Sequence, residues 1–393
     1  MLVPLMESRR CRPLWSLAFR PFFLAGTVFA LIAVTVWAGT LAGVSAPVPT
    51  GGMLAWHRHE MLYGFTAAIV GGFLLTAVQN WSGLPGLHGR SLQALFLIWL
   101  LGRAAWFLEL PVEWLVVIEG GFLPLVTLAL ARPIVQRRLR NNYPIVVLVL
   151  VFTGCQWLTL AGFLRQDEPL QRQGVLAGLW LVAAMMTVLG GRVIPFFTQR
   201  GLGNMTASTP RPWLDRSCLV LSVTAALAMA AGFGQAPQWG LAVLFGCLFA
   251  LHAARLLLWH DRRLWGIPLL WSLHLAYAWL AVATLGMALW HAGVNVSPSL
   301  VTHALTVGAM SGLMLAMMAR VSLGHTGRPL SVPASVAIGF ALLHLAALAR
   351  VILPLLTPLA FSLSALCWCM ALLLFVRHYL PILLQPRADG LPG

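Results

Sequence analysis

The 393-residue sequence has no lysine and only ten acidic residues, and charged side chains make up 9% of it. So few charges cannot cover the surface of a soluble fold of this length. No long polar stretch separates its apolar runs, so no water-exposed domain is expected between them. None of its six cysteines forms a CxxC pair. The closest two are Cys367 and Cys369, and most lie within apolar runs, which argues against a disulfide framework. There is no P-loop, no Gly-x-Ser-x-Gly and no dinucleotide fingerprint, so nothing points to a hydrolase or a nucleotide-binding enzyme. The N-terminal stretch has no short apolar region with a small-residue cleavage site, so no cleaved signal peptide is expected.

What is present is apolar. Hydrophobic residues are 60% of the chain and the mean hydropathy is +0.87. The sequence therefore specifies an all-α, polytopic membrane protein. Twelve apolar spans can be counted, roughly 20–43, 59–79, 91–109, 111–131, 143–164, 173–197, 214–233, 237–259, 265–291, 298–321, 332–353 and 356–384. Together they read as one integral membrane domain over residues 1–393. Tight turns are expected at Pro111 and at Pro354 with Pro358.

The net charge of +15 would suggest nucleic acid in a soluble protein, but here it reports topology, and no nucleic-acid partner is expected. With the N-terminus placed inside, nineteen arginines fall in inner segments, Arg9 and Arg10 among them. Three (Arg58, Arg165 and Arg172) fall in outer segments, and Arg103, Arg192 and Arg350 fall within spans. The split predicts two cytoplasmic termini.

That orientation gives each polar residue a depth. The second span opens on Trp56, His57, Arg58, His59 and Glu60, near the outer face. His303 lies about one turn into the tenth span, Glu119 about two turns into the fourth, and Arg103 and Arg350 at similar depth on the third and eleventh. His274 and His344 lie deeper. His59 and His303 each precede a glycine by five residues, Gly64 and Gly308, and Arg-Val pairs end the sixth and tenth spans at Arg192 and Arg320. Spans two, six and ten are four apart, which would fit three four-helix units.

Imidazoles at such a depth are costly unless paired or bound. Two readings stand. They form an interfacial cap, or they hold a metal or haem. In the second reading His59 and His303 are axial haem ligands, and Gly64 and Gly308 give the ring room. Arg103 and Arg350 then meet the propionates. His57 or His274, with His344 as a further candidate, serves a second metal. The glycine pairs Gly71-Gly72 and Gly308/Gly312 also suit close helix packing. Glu119 is either a proton carrier or the partner of Arg103. The methionines of the tenth span read as packing.

The runs HRHEMLYGFTAAIVGGFLLTAVQNWSG (57–83), FRPFFL (19–24), GGRVIPFFT (190–198), LHLAYAWL (273–280) and HALTVGAMSGLMLAMMARVSLGHTGRPL (303–330) resemble the signature of the NnrS family. Gln79 stands where proline is expected in Val-Pro-Asn-Trp. The resemblance implies a bacterial inner-membrane protein of twelve helices with haem b and copper and a role in the response to nitric oxide. It carries over His57, His59, His274, His303 and His325. The architecture is also similar to the main subunit of haem–copper oxidases, except that spans six and seven hold no histidine. The expected chemistry is nitric oxide turnover with an electron donor and protons through Glu119, or sequestration without turnover. A secondary transporter of a small solute is the alternative, marked by broken helices at the midplane.

Overall fold

A backbone in lipid must satisfy its own hydrogen bonds, so long apolar runs fold as helices. The computed structural model describes residues 12–203 and 211–391, in which every regular element is helical. Arg9, Arg10 and Gly393 lie outside the described residues. The helices are α1 (Phe19–Leu41), α2 (Met53–Ser82), α3 (Gly89–Ala105), α4 (Val112–Gln136), α5 (Tyr143–Arg165), α6 (Glu168–Gly201), α7 (Pro212–Ala230), α8 (Trp239–Trp259), α9 (Pro268–His291), α10 (Pro298–His325), α11 (Ala334–Val351) and α12 (Ala360–Leu384). Eleven are long and apolar enough to cross a membrane. The twelfth, α3, has 17 residues and falls just short of the ~20 that a bilayer takes. This is the multi-pass, twelve-helix protein expected from the sequence. The turns fall where proline stops a helix, at Pro111 before α4 and around Pro354 before α12.

The chain divides into two compact units, not the three four-helix units suggested by spacing. Unit one takes the chain up to Val175, Met318–Leu330 and the chain from Phe375 onward; unit two takes Leu176–Met317 and Ser331–Leu374. The likeness of α2 to α10 is a repeat of one local device, and it does not extend to whole bundles.

In unit one, α2 packs on α1 and α4, and α4 packs on α5. Small residues allow the approach. A Cβ added at Gly72 would sit 2.9 Å from the Phe22 Cβ on α1, and one at Gly71 would sit 3.5 Å from Val126 on α4. In unit two, α9 packs on α8, α10 and α11, and a Cβ at Gly312 would sit 2.9 Å from Ala276 on α9. The paired glycines therefore serve helix packing.

Three helices depart from the expected regular form. Helix α2 begins at Met53, six residues before the expected start, so His57 and His59 lie inside the helix. Directly after His59 it widens into a π-helix over Glu60–Thr66, and α10 does the same over Ala304–Met310, directly after His303. In each case a hydroxyl takes a carbonyl five residues back: Thr66 Oγ1 donates to the Met61 carbonyl (2.9 Å) and Ser311 Oγ to that of Thr306 (2.8 Å). Helix α4 breaks after Glu119 at Gly120-Gly121 and resumes at Phe122. Helix α6, by contrast, is not ended by Pro195 but runs through it to Gly201, with the Arg192 side chain exposed.

Candidate functional site

The π-turn of α2 places two ionisable residues in the interior of unit one. His59 and Glu60 are both fully buried, and His59 Nδ1 lies 2.9 Å from Glu60 Oε1. The other carboxylate oxygen of Glu60 pairs with Nε of Arg103, from α3. Arg103 Nη2 in turn donates to Glu60 Oε1 (3.1 Å) and to Glu119 Oε2 (2.5 Å). Trp106, where α3 ends, donates Nε1 to Glu119 Oε1 at 2.7 Å. Thus one guanidinium fork holds two carboxylates, one from the widened turn of α2 and one from the broken end of α4.

Each irregularity has a role here. The break in α4 leaves the Glu119 carbonyl without its helical partner, and Gln156 Nε2 of α5 donates to it at 3.0 Å. Trp99 Nε1 donates to the Gly64 carbonyl within the π-turn at 2.9 Å. The Arg103 guanidinium also lies 5.5 Å from the Phe29 ring and 5.6 Å from the Trp99 ring. The His59 ring sits between Tyr63 and Trp106, at 5.2 and 5.1 Å.

His59 Nε2 is buried and has no hydrogen-bond partner. A neutral imidazole whose Nδ1–H is held by a carboxylate keeps its lone pair on Nε2, which is how a metal-binding histidine is oriented. Among the described residues, one group of three His, Cys or acidic side chains brings ligand-capable atoms within 4.8 Å of one another: His59, Glu60 and Glu119.

The other expected site residues are more scattered. His57 faces away from this network and stacks on Trp37, with centroids 4.5 Å apart and planes 12° apart. His274, His303, His344 and Arg350 belong to unit two. His303 Nδ1 lies 2.7 Å from the Ser299 carbonyl, and Arg350 donates Nη2 to Ser299 Oγ at 3.0 Å while its guanidinium lies 4.8 Å from the Phe361 ring. His274 Nδ1 lies 3.0 Å from the Leu270 carbonyl, and His344 is buried beside Trp271.

Protein side chains stand at three of the positions expected to meet a cofactor. The room beside Gly64 is taken by the protein, since a Cβ there would lie 2.9 Å from Glu60 Oε2 and 3.2 Å from Arg103 Nε. The room beside Gly308 is taken by Trp279, at 2.4 Å. Arg103 is engaged by two carboxylates, which leaves Glu119 as an ion-pair partner and gives no support for a propionate contact.

Sequence reasoning missed a second buried polar centre, in unit two. Arg255 of α8 is 2% exposed; it donates to the Thr187 carbonyl (2.9 Å), the Tyr277 hydroxyl (2.9 Å) and Asp215 Oδ1 (2.6 Å). The Tyr277 hydroxyl also lies 2.8 Å from His252 Nδ1. Gly190 lets the Tyr277 ring pass, and Gly191 the guanidinium, each 3.1 Å from where a Cβ would lie. The signal was available in the motifs GGRVIP and LHLAYAWL, whose Gly-Gly and Tyr meet here.

Fold and site define an all-α, multi-pass membrane protein with a buried histidine–carboxylate–arginine network at an interrupted helix. A family model described as NnrS protein matches residues 13–387, and the chain belongs to the NnrS family. No curated protein matches it.

Proposed function

We propose that this chain is a haem-binding membrane protein of the nitric oxide response, with His59 Nε2 as an iron ligand. One observation carries the reading: a fully buried imidazole, fixed through Nδ1 by a buried carboxylate, with Nε2 left unpartnered. Family membership supports the link to nitric oxide. Bound haem iron would supply an open coordination position for a small, membrane-soluble gas.

The protein's part is electrostatic and positional. Glu60 fixes the tautomer and the orientation of the His59 ring. Two carboxylates face one guanidinium, an arrangement that suits a cationic group on the His59 side. Tyr63 and Trp106 hold the ring at its orientation. In unit two the Ser299 carbonyl fixes His303 Nδ1 in the same manner, and Arg350 fastens Ser299. Copper prefers several imidazole or sulfur donors at one point. The His59 group offers one imidazole, and its carboxylates are already occupied by Arg103, which favours haem iron over copper at this point; copper at His57, His274 or His344 stays part of the proposal.

The break in α4 is the feature that a transporter would use. Its side chains and carbonyl are taken up by Arg103, Trp106 and Gln156, which favours the haem reading.

The test is a visible spectrum of the purified protein beside His59→Ala and Glu60→Gln. A Soret band is expected in the wild type, with loss or a spin-state change in His59→Ala. Glu60→Gln should weaken haem retention by ~10–100-fold and raise the reduction potential. A colourless wild-type protein, or an unaltered His59→Ala spectrum, refutes the assignment.

A further inference from the structure

Two sequence motifs, FRPFFL and the GHTGRPL end of the longest one, take no part in the His59 network. In unit one they meet each other and the C-terminal segment. Arg20, the second residue of α1, is 1% exposed. Its Nη1 donates to the carbonyls of Leu383 (2.9 Å) and Gln385 (2.7 Å), and its Nε is buried without a partner. Arg328, just past α10, donates to the Thr326 carbonyl and to Gln385 Oε1, both at 3.3 Å. Arg387 donates to the His325 carbonyl (3.0 Å) and clasps Asp389 through Nε (2.9 Å) and Nη2 (2.6 Å). Shared acceptors hold the three guanidiniums together. Gln385 serves Arg20 and Arg328, and the adjoining carbonyls of His325 and Thr326 serve Arg387 and Arg328.

The charges in this cluster do not balance. Three guanidiniums face one carboxylate. The C-terminal ends of α10 and α12 each add about half a negative charge. With about half a positive charge from the N-terminal end of α1, between one and two positive charges are left over, at Arg20 and Arg328, whose acceptors here are all neutral oxygens. Arg20 is buried, where water cannot screen that surplus. Capping of two helix ends explains the carbonyl bonds. It explains neither the surplus charge nor the unpartnered Nε.

We propose that this cluster binds one phosphate group carrying about one negative charge, from an anionic phospholipid headgroup or as free phosphate. Helix ends of a membrane protein lie at headgroup level, and the guanidinium fork matches phosphate geometry. Asp389 neutralises Arg387, which limits the cluster to a single anion.

The experiment uses the full chain, delipidated in detergent, and follows thermal unfolding. Short-chain phosphatidylglycerol, phosphatidylcholine of the same chain length and inorganic phosphate are titrated separately. Phosphatidylglycerol should raise Tm saturably, and phosphatidylcholine should not. Arg328→Gln should weaken the apparent affinity about tenfold, as loss of a charged hydrogen bond does; Arg328→Lys should weaken it less. The half-buried Arg328 is chosen because Arg20→Gln also removes two buried helix caps. An equal shift with inorganic phosphate supports the site and makes the free ion its ligand. No saturable shift with either anion, or an unchanged shift in Arg328→Gln, overturns the proposal.

Discussion

Arg103 and Glu119 form a buried ion pair, Nη2 to Oε2 at 2.5 Å, between the end of α3 and the point where α4 breaks. Glu60 meets the same guanidinium from the π-turn of α2. One cation thus fastens three helices at their irregular points. Removing it would leave two buried carboxylates without a counter-charge. Arg103→Leu is therefore expected to destabilise the fold by ~3–5 kcal/mol. Arg103→Lys should recover only part of this, because a point charge cannot reach both carboxylates. Glu60→Gln should be far milder, since it leaves a balanced Arg103–Glu119 pair. Thermal unfolding of the three variants decides. Equal Tm for Arg103→Leu and wild type would mean that the pair contributes little.

Gly64 gives a sharper contrast between packing and cofactor roles. An added methyl would press on Glu60 Oε2 and Arg103 Nε, both held in the ion pair. Gly64→Ala should cost ~1–3 kcal/mol through overpacking. It should lower Tm in protein purified without haem as well as with it. A variant that keeps its Tm but loses only its haem would restore Gly64 to the ring's edge.

The twelve helices were legible because twenty-residue apolar runs have few folds open to them, and the proline turns because proline stops helices. That His59, Arg103 and Glu119 share one level could also be read from topology, and so could the pairing of Arg103 with Glu119 as one of two alternatives. The π-turns could not. They depend on Thr66 and Ser311 reaching back five residues, and on Trp99 taking the Gly64 carbonyl. None of these leaves a periodicity signal. The contacts of Gly64 with Glu60 and Arg103 were not legible, because a glycine shows that something comes close without showing what. The Arg255 centre was missed because its members lie on four helices and are joined only by tertiary packing.

Tyr277 links that centre. Its hydroxyl accepts from Arg255 and lies beside His252 Nδ1. Tyr277→Phe preserves the ring beside Gly190 but strands two buried polar groups. A loss of ~1–3 kcal/mol is expected. Gly191→Ala, which crowds the guanidinium, should act in the same direction. Both are measured by thermal unfolding, with the Soret band as a control. If the proposed haem at His59 is independent of this centre, the band should survive in both variants. A stability unchanged in Tyr277→Phe would show that water replaces the hydroxyl.

The C-terminal clamp has a predictable pH dependence. Hydrogen bonds from Arg387 hold the Asp389 carboxyl below its usual range. A carboxyl depressed in the folded state stabilises above its unfolded pKa of ~3.9 and loses that contribution as pH falls through the lower folded value. The clamp should therefore be intact at both pH 7 and pH 5. Amide exchange at Ala388, which donates to the Thr326 carbonyl, and at Leu391, which donates to Asp389, should show equal protection at the two pH values after correction for intrinsic rates. Protection lost at pH 5 would mean that Asp389 does not hold the segment. Asp389→Asn should lower protection at both.

Orientation in the membrane is the last expectation. The arginine split of nineteen to three predicts two cytoplasmic termini. The start of α1 meets the ends of α10 and α12 in unit one through Arg20, Gln385 and Arg328. Alternating crossings put these three ends on one face, since α1 runs one way and α10 and α12 the other, and so permit the meeting. That alternation fixes which ends share a face, and the arginines choose the face. A periplasm-active phosphatase fused after Gly393 should stay silent. The same reporter inserted after Asp167, in the short turn between α5 and α6, should be active. The reverse pattern would invert the orientation. It would then place the Arg20 cluster at the periplasmic headgroups and the His59 network toward the cytoplasm.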